Sequence, residues 1–366
     1  MEDKKTKVCA NVEKAAASAG DKPIHKRRAH YSGKYPRKFE EKYKERNPEK
    51  YKDTVEKVIS KGSTPAGMHI PIMVAEILEH LDIKEGQKGL DCTLGYGGHT
   101  TEILKKLNHT GHLYSLDVDS IEIVKTKQRI ADRGFTDDDF TAIHTNFRNI
   151  DQVAAQYGKF DFLMADLGVS SMQLDNPERG FSYKFDGPLD LRLDPESGIS
   201  AAERLKELSQ DEIENMLIEN SDEIYAGEIA KAIADAKRKR ESIETTMELK
   251  ALVEKALVRL PKDVREDETK KALARTFQAL RIDVNSELDV LYEFLEKLPD
   301  VLNPGARVCV LTFHSGEDRL VKKAFKSGLK DGLFEEVSED VIRPGRDECY
   351  INPRARSTKL RWAIKA

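Results

Sequence analysis

Leu90-Asp91-Cys92-Thr93-Leu94-Gly95-Tyr96-Gly97-Gly98-His99 decides the fold. A short apolar run closes on a carboxylate and passes at once into a glycine-rich turn. Glycine has no Cβ, tolerates positive φ and leaves room for a ligand to approach the backbone. Just downstream, Ile103, Leu104 and Leu107 share one helical face, so the turn is expected to feed a helix N-terminus. Read alone, the stretch is either a ligand cradle or an ordinary strand-to-helix turn.

Twenty residues past Gly97, the run His112-Leu113-Tyr114-Ser115-Leu116 ends at Asp117, where an acid after a second strand suits ribose hydroxyls. A dinucleotide fingerprint starting at Gly95 would need glycine at position 100, and Thr100 stands there. NAD therefore fits poorly. S-adenosylmethionine has no pyrophosphate to seat on the helix and fits better.

Strand-like runs recur at Leu90, Leu113 to Leu116, Thr141 to His144 and Phe160 to Ala165, with helical patterns at 121–130 and 150–157 between them. Such alternation predicts an α/β fold with a parallel sheet covered by helices on both faces. Ligands of these sheets sit beyond the carboxyl ends of the strands, so Gly97, Asp117, Phe147 and Asp166 are expected to converge. The next convincing strand, Val308 to Phe313, comes more than 140 residues after Asp166. Within that gap, Ser209-Gln210-Asp211-Glu212 and Thr245-Thr246-Met247-Glu248 have the capping-box pattern, and Ala226 to Ile233 is helix-like. A helical insert is expected there. Thr276 to Leu298 reads as one long helix ended by Pro299, and Ile70 to Leu81 as an amphipathic helix leading into the cradle. Arg343, Arg346, Arg354, Arg356 and Arg361 read as a basic tail.

Of 366 residues, 39% are apolar and 34% charged, which is a globular balance. No apolar run approaches the roughly 18 residues of a membrane span, and no signal-peptide core follows Met1, so a cytoplasmic location is expected. Cys9, Cys92, Cys309 and Cys349 are scattered as expected of reduced thiols, and the histidines form no ligand motif; no metal is expected. The net charge of −4 is uneven, because residues 1–62 hold 18 Lys/Arg against 10 Asp/Glu. In this arm Tyr31, Tyr35, Phe39 and Tyr43 recur every fourth position among basic residues. They would either stack on RNA bases or dock on protein.

Asp166-Leu167-Gly168-Val169-Ser170-Ser171 and the polar stretch after it form the second chemical region. An exocyclic amino nitrogen is a poor nucleophile while its lone pair is delocalised into the ring. A hydrogen bond to Asp166 would localise that pair and later accommodate the proton. The alternatives are that Asp166 caps the turn or binds cofactor. Gly187 to Arg192 and Phe313 to Arg319 offer further polar loop groups. For His314 a structural role competes, and for Arg319 a helix-start ion pair.

Together these motifs resemble the bacterial ribosomal RNA small subunit methyltransferase H family. The similarity runs from about Met68 onward, over His69-Ile70-Pro71, the Asp91 to His99 cradle, Asp166 to Gln173, Glu178-Arg179-Gly180-Phe181, Pro188 to Arg192, Thr276 to Asn285, Phe313 to Arg319 and Asn352 to Arg361. The resemblance implies a class I (Rossmann-like) S-adenosylmethionine-dependent methyltransferase sheet with an inserted helical subdomain, acting on N4 of a cytidine in 16S rRNA of the small ribosomal subunit, as a monomer or homodimer. It carries cofactor contacts onto Gly97, Gly98, His99, Asp117, Phe147, Asp166 and Gln173. Substrate-side candidates are Arg179, Phe181, Asp190, Arg192, His314, Arg354 and Arg356, with Phe181 and Arg192 suited to holding an unstacked base. The expected organisation is a basic extension at 1–62, a methyltransferase domain at 63–176 and 275–366, and a substrate-recognising helical insert at 177–274. Lys271-Ala272-Leu273-Ala274, Gly316 and Ser221-Asp222-Glu223 depart from the family pattern. With the arm, they suggest a divergent second member. Competing readings are an RNA-binding assembly factor without turnover and a methyltransferase acting on DNA or protein.

Overall fold

The computed structural model describes residues 71–170, 173–174 and 176–366. The basic arm, the break at Gly62 to Gly67 and His69-Ile70 lie outside them. Up to β4 the elements follow the alternating pattern: α1 (Val74–Leu81), β1 (Lys88–Asp91), α2 (Gly98–Leu107), β2 (His112–Asp117), α3 (Ser120–Asp132), β3 (Phe140–His144), α4 (Ile150–Tyr157) and β4 (Phe160–Asp166). Side chains alternate across a strand, and in β4 Leu163 and Ala165 pack into one apolar cluster while Phe162 and Met164 pack into another. Both faces of the sheet are therefore buried, as a parallel sheet requires.

Seven strands lie in the order β3-β2-β1-β4-β5-β7-β6, with β5 spanning Leu302–Thr312, β6 Phe334–Val337 and β7 Lys359–Lys365. The first five named are parallel to one another, and β7 is antiparallel to both β5 and β6. Strand order reverses between β1 and β4, which opens a crevice at their carboxyl ends.

Between β4 and β5 come α5 (Ala201–Glu207), α6 (Gln210–Ser221), α7 (Ala226–Arg238), α8 (Thr246–Ala256), α9 (Lys262–Asn285) and α10 (Glu287–Lys297). Both expected capping boxes are formed, at Ser209 with Glu212 and at Thr245 with Glu248. Ile213, Ile229, Ile233, Leu249 and Phe277 share a separate core among these helices.

Two expectations need correction. The single helix over 276–298 is two helices, broken at Ser286 with φ 49°. Apolar spacing continues across the break, and the Arg281 fork clasps Glu287 across the corner at 2.7 and 2.8 Å. The basic tail contains α12 (Arg346–Ile351) and β7. Arg361 is only 4% exposed and donates to Asp318 at 2.7 Å, so it is not available to phosphates. Its charge hid a strand that packs on both faces of the sheet, with Leu360 buried in one apolar cluster and Ala363 in the other.

Candidate active site

Beyond β1, the cradle is held by its own carboxylates. Asp91 is fully buried; it accepts from Thr93 N at 3.0 Å and from Thr100 Oγ1 at 2.6 Å, closing the loop onto the start of α2. Gly97 caps that helix at φ 72°, and a Cβ there would lie 2.8 Å from Thr126 Cγ2. The turn can therefore be this tight only with glycine.

Asp117 receives Gly95 N–H at 2.7 Å and Asp119 N–H at 2.9 Å, one on each oxygen. Both oxygens keep acceptor capacity. Burial pushes its carboxyl up to about 6, against the pull of these hydrogen bonds.

A cavity of about 410 Å³ sits over these strand ends. Of the residues expected to converge, Gly98, His99, Asp117, Phe147, Asp166 and Gln173 line it, while Gly97 stands behind the wall as the helix cap. Phe147 is held edge-on by Phe294, with ring centroids 5.3 Å apart.

Asp166 is fixed from two sides. Its N–H donates to Thr93 Oγ1 at 2.7 Å, and its Oδ2 lies 3.4 Å from His99 Nδ1. His99 Nε2 is 2.9 Å from the Ile72 carbonyl, which can only accept, so that nitrogen carries hydrogen. Burial works against a charged His99, but the hydrogen bond and charge of Asp166 outweigh it and raise the histidine above its ordinary value. Asp166 Oδ1 is buried and has no hydrogen-bond partner among the described residues. A buried acceptor without a protein partner is ordinarily met by water or a ligand.

The residues present fit S-adenosylmethionine. The turn lets a ligand approach its backbone, the Asp117 carboxylate lines the cavity with acceptor capacity of the kind hydroxyls need, an aromatic side wall is provided by Phe147, and the cavity has the size of a small-molecule site.

The opposite wall was anticipated as part of the site only in the stretch Phe313 to Arg319. Gln278, Arg281 and Asn285 of α9, Glu287 of α10 and Glu317 of α11 (Ser315–Lys330) line the same cavity. Asn285 accepts from Leu193 N at 2.7 Å and donates to Leu191 O at 2.8 Å, tying the loop after β4 to α9. The signal for Gln278, Arg281 and Asn285 lay inside Thr276 to Asn285, where polar residues interrupt an apolar helix face. Glu287, His314 and Glu317 bring ligand-type atoms within 4.8 Å of one another. Glu287 is already clasped by Arg281, and Glu317 accepts Phe313 N–H at 2.7 Å. The cluster is an ion-pair network.

The substrate-side candidates are dispersed. Arg354 lines the cavity, and exposed Arg356 does not. Arg179 donates to Asp119 at 2.6 Å and to the Leu193 carbonyl at 2.8 Å, so it ties the loop to α3. Asp190 and Arg192 clasp each other at 2.7 and 2.9 Å. Phe181 is 4% exposed, within the helical core, which leaves its ring no open face like that expected for an unstacked base. His314 caps α11 in a capping box with Glu317, the structural alternative. Arg319 stands 3.8 Å from Asp222.

Residues 66–366 match the family model described as the MraW methylase family. The chain is 61% identical over 344 residues to "Ribosomal RNA small subunit methyltransferase H 1" of Lachnoclostridium phytofermentans, covering 94% of each chain. It is 63% identical to the protein of the same name from Agathobacter rectalis, over 93% of this chain and 98% of that one. "Ribosomal RNA small subunit methyltransferase H" of Finegoldia magna is 38% identical over 81% of this chain. The first match is longer than the stretch from residue 66 onward, so part of the basic arm is shared with that relative. With a class I sheet, a glycine-turn cradle and a family match spanning every strand, the chain belongs to the MraW methylase family.

Proposed function

We propose that the protein methylates the N4 amino group of a cytidine in 16S rRNA, with S-adenosylmethionine as donor, on the small ribosomal subunit in the cytoplasm. The observation that carries this reading is the place of Asp166, at the carboxyl end of β4 in a cavity lined by both the cradle and α9, with its Oδ1 without a partner among the described residues. When bound, the cofactor supplies a methyl group on a sulfonium, an electrophile that needs no further activation. Gly98, His99, Asp117, Phe147 and Gln173 would hold it, with Asp117 accepting from ribose hydroxyls and Gly97 shaping the turn behind them.

Asp166 would accept a hydrogen of the cytosine amino group, turn its lone pair toward the donor methyl and take the proton released once the N–C bond has formed and the sulfur–methyl bond has broken, leaving the thioether S-adenosylhomocysteine. His99 keeps Asp166 oriented. The target base must leave its stack, at a cost of a few kcal/mol, and the helices between β4 and β5 would supply the contacts that offset it.

The test is methyl transfer to small subunits lacking the modification, read by nucleoside mass spectrometry. Wild-type protein should yield N4-methylcytidine, and Asp166→Asn should lower kcat by about 100-fold or more with little change in cofactor affinity. Cofactor binding without transfer to RNA would support the assembly-factor reading instead.

A further inference from the structure

Helix α11 starts where β5 ends, and Phe313 and Glu317 at that start line the cavity. Because β5 and β6 are both antiparallel to β7, they are parallel to each other, so the helix joining them runs back from the cavity end of the sheet. Its inner face is apolar, with Val321 and Phe325 buried in the core beside Phe334. Its outer face is basic. Arg319, Lys322, Lys323, Lys326 and Lys330 are all exposed, and at 3.6 residues per turn they share an arc of about 100°. The acids of the helix lie outside that arc: Glu317 is buried, and Asp318 is held by Lys359 and Arg361. Arg319 stands 3.8 Å from Asp222, both largely exposed, a pair that holds weakly. None of the four lysines makes an ion pair among the described residues. Like charges three and four residues apart repel, so an anion lying across the row relieves a strain that the rest of the fold leaves in place. The row stands on a chain that is net acidic beyond residue 62. Its cations follow one another about 5 Å apart over roughly 17 Å of helix, on the scale of successive phosphates along a nucleic acid strand.

We propose that the outer face of α11 is a docking surface for the phosphate backbone of the small-subunit rRNA that carries the target base. This rests on the reading of the chain as an rRNA methyltransferase. The row begins at the cavity end of the sheet, so RNA that delivers a base to the cavity continues over Arg319 and down the flank of the domain across Lys322, Lys323, Lys326 and Lys330. The contact is to phosphates and reads no bases. It therefore adds affinity and fixes how the RNA lies, while the choice of base stays with the cavity.

The experiment measures binding of the full chain, with S-adenosylhomocysteine, to small subunits lacking the modification, across a salt series. A triple variant, Lys322→Gln with Lys326→Gln and Lys330→Gln, should flatten the slope of log affinity against log salt by about 2–3 and raise KM for the subunit about tenfold or more. Its affinity for S-adenosylhomocysteine should not change. Lys322→Arg with Lys326→Arg and Lys330→Arg should keep the wild-type slope. A control triple, Lys106→Gln with Lys127→Gln and Lys159→Gln, removes the same charge from exposed positions around β1 to β4 and should also keep it. An unmoved slope in the first triple, or an equal fall in the control, would overturn the surface. With p-azidophenylalanine in place of exposed Leu329, irradiation should attach the chain to 16S rRNA; attachment to a subunit protein alone would overturn it too. Methyl transfer by wild type runs alongside. Transfer with an unmoved slope counts against this surface alone, binding without transfer against the methyltransferase reading alone, and neither binding nor transfer against both.

Discussion

Burial raises the Asp117 carboxyl to about 6, so affinity for the cofactor is expected to depend on pH. The ionised form offers acceptors to ribose hydroxyls and the protonated form loses one. Linkage then makes the dissociation constant for S-adenosylhomocysteine rise as pH falls below about 6, approaching tenfold per pH unit. Calorimetric titration at pH 5 to 8 measures this. Asp117→Asn should bind more weakly at pH 8 and show no such slope between pH 5 and 7. At this scale the meeting of Asp117, Phe147 and Asp166 at one cavity was legible, because a parallel sheet brings its strand ends together whatever the intervening sequence, while Gly97 lies behind its wall. Arg179 and Arg192 misled, since sequence cannot tell a guanidinium meant for phosphate from one clasping Asp119 or Asp190.

Helix ends were legible wherever side chains make the stop or start, as at Ser209 and Thr245. The break at Ser286 was not, because backbone geometry rather than side-chain capping defines it: the residue holds φ 49° with no side-chain cap. A left-handed non-glycine residue costs about 1–2 kcal/mol. Ser286→Gly should therefore raise stability in urea denaturation, by about 0.5–1 kcal/mol. Gly97→Ala should do the reverse. Its new Cβ meets Thr126 at 2.8 Å in a backbone region unsuited to alanine, so a loss of about 1–3 kcal/mol is expected. Cofactor affinity should fall with it, since the distortion lies in the cradle itself.

For the whole molecule, charge is divided between a basic arm and an acidic remainder, and the arm is shared in part with a relative 61% identical. Phosphate contacts release counterions on binding, so affinity for the small subunit should fall steeply with salt. Removing residues 1–62 should weaken subunit binding and flatten that dependence in filter-binding assays, leaving cofactor affinity unchanged. An unchanged salt slope would direct the arm to a protein contact instead. The sheet and the insertion could be read from spacing, because strands about 20 to 30 residues apart followed by a gap of more than 140 leave few other architectures. No helix among the described residues is long and apolar enough to cross a membrane. The antiparallel end of the sheet stayed hidden behind the charges of Lys359, Arg361 and Lys365.

That end also fixes an order of events during synthesis. β7 is made after the other six strands, yet it lies between β5 and β6 and pairs with both. While the chain is still emerging, β5 therefore presents an open edge and β6 has no place in the sheet. A nascent chain halted before residue 359 would need its edge shielded, for example by a chaperone.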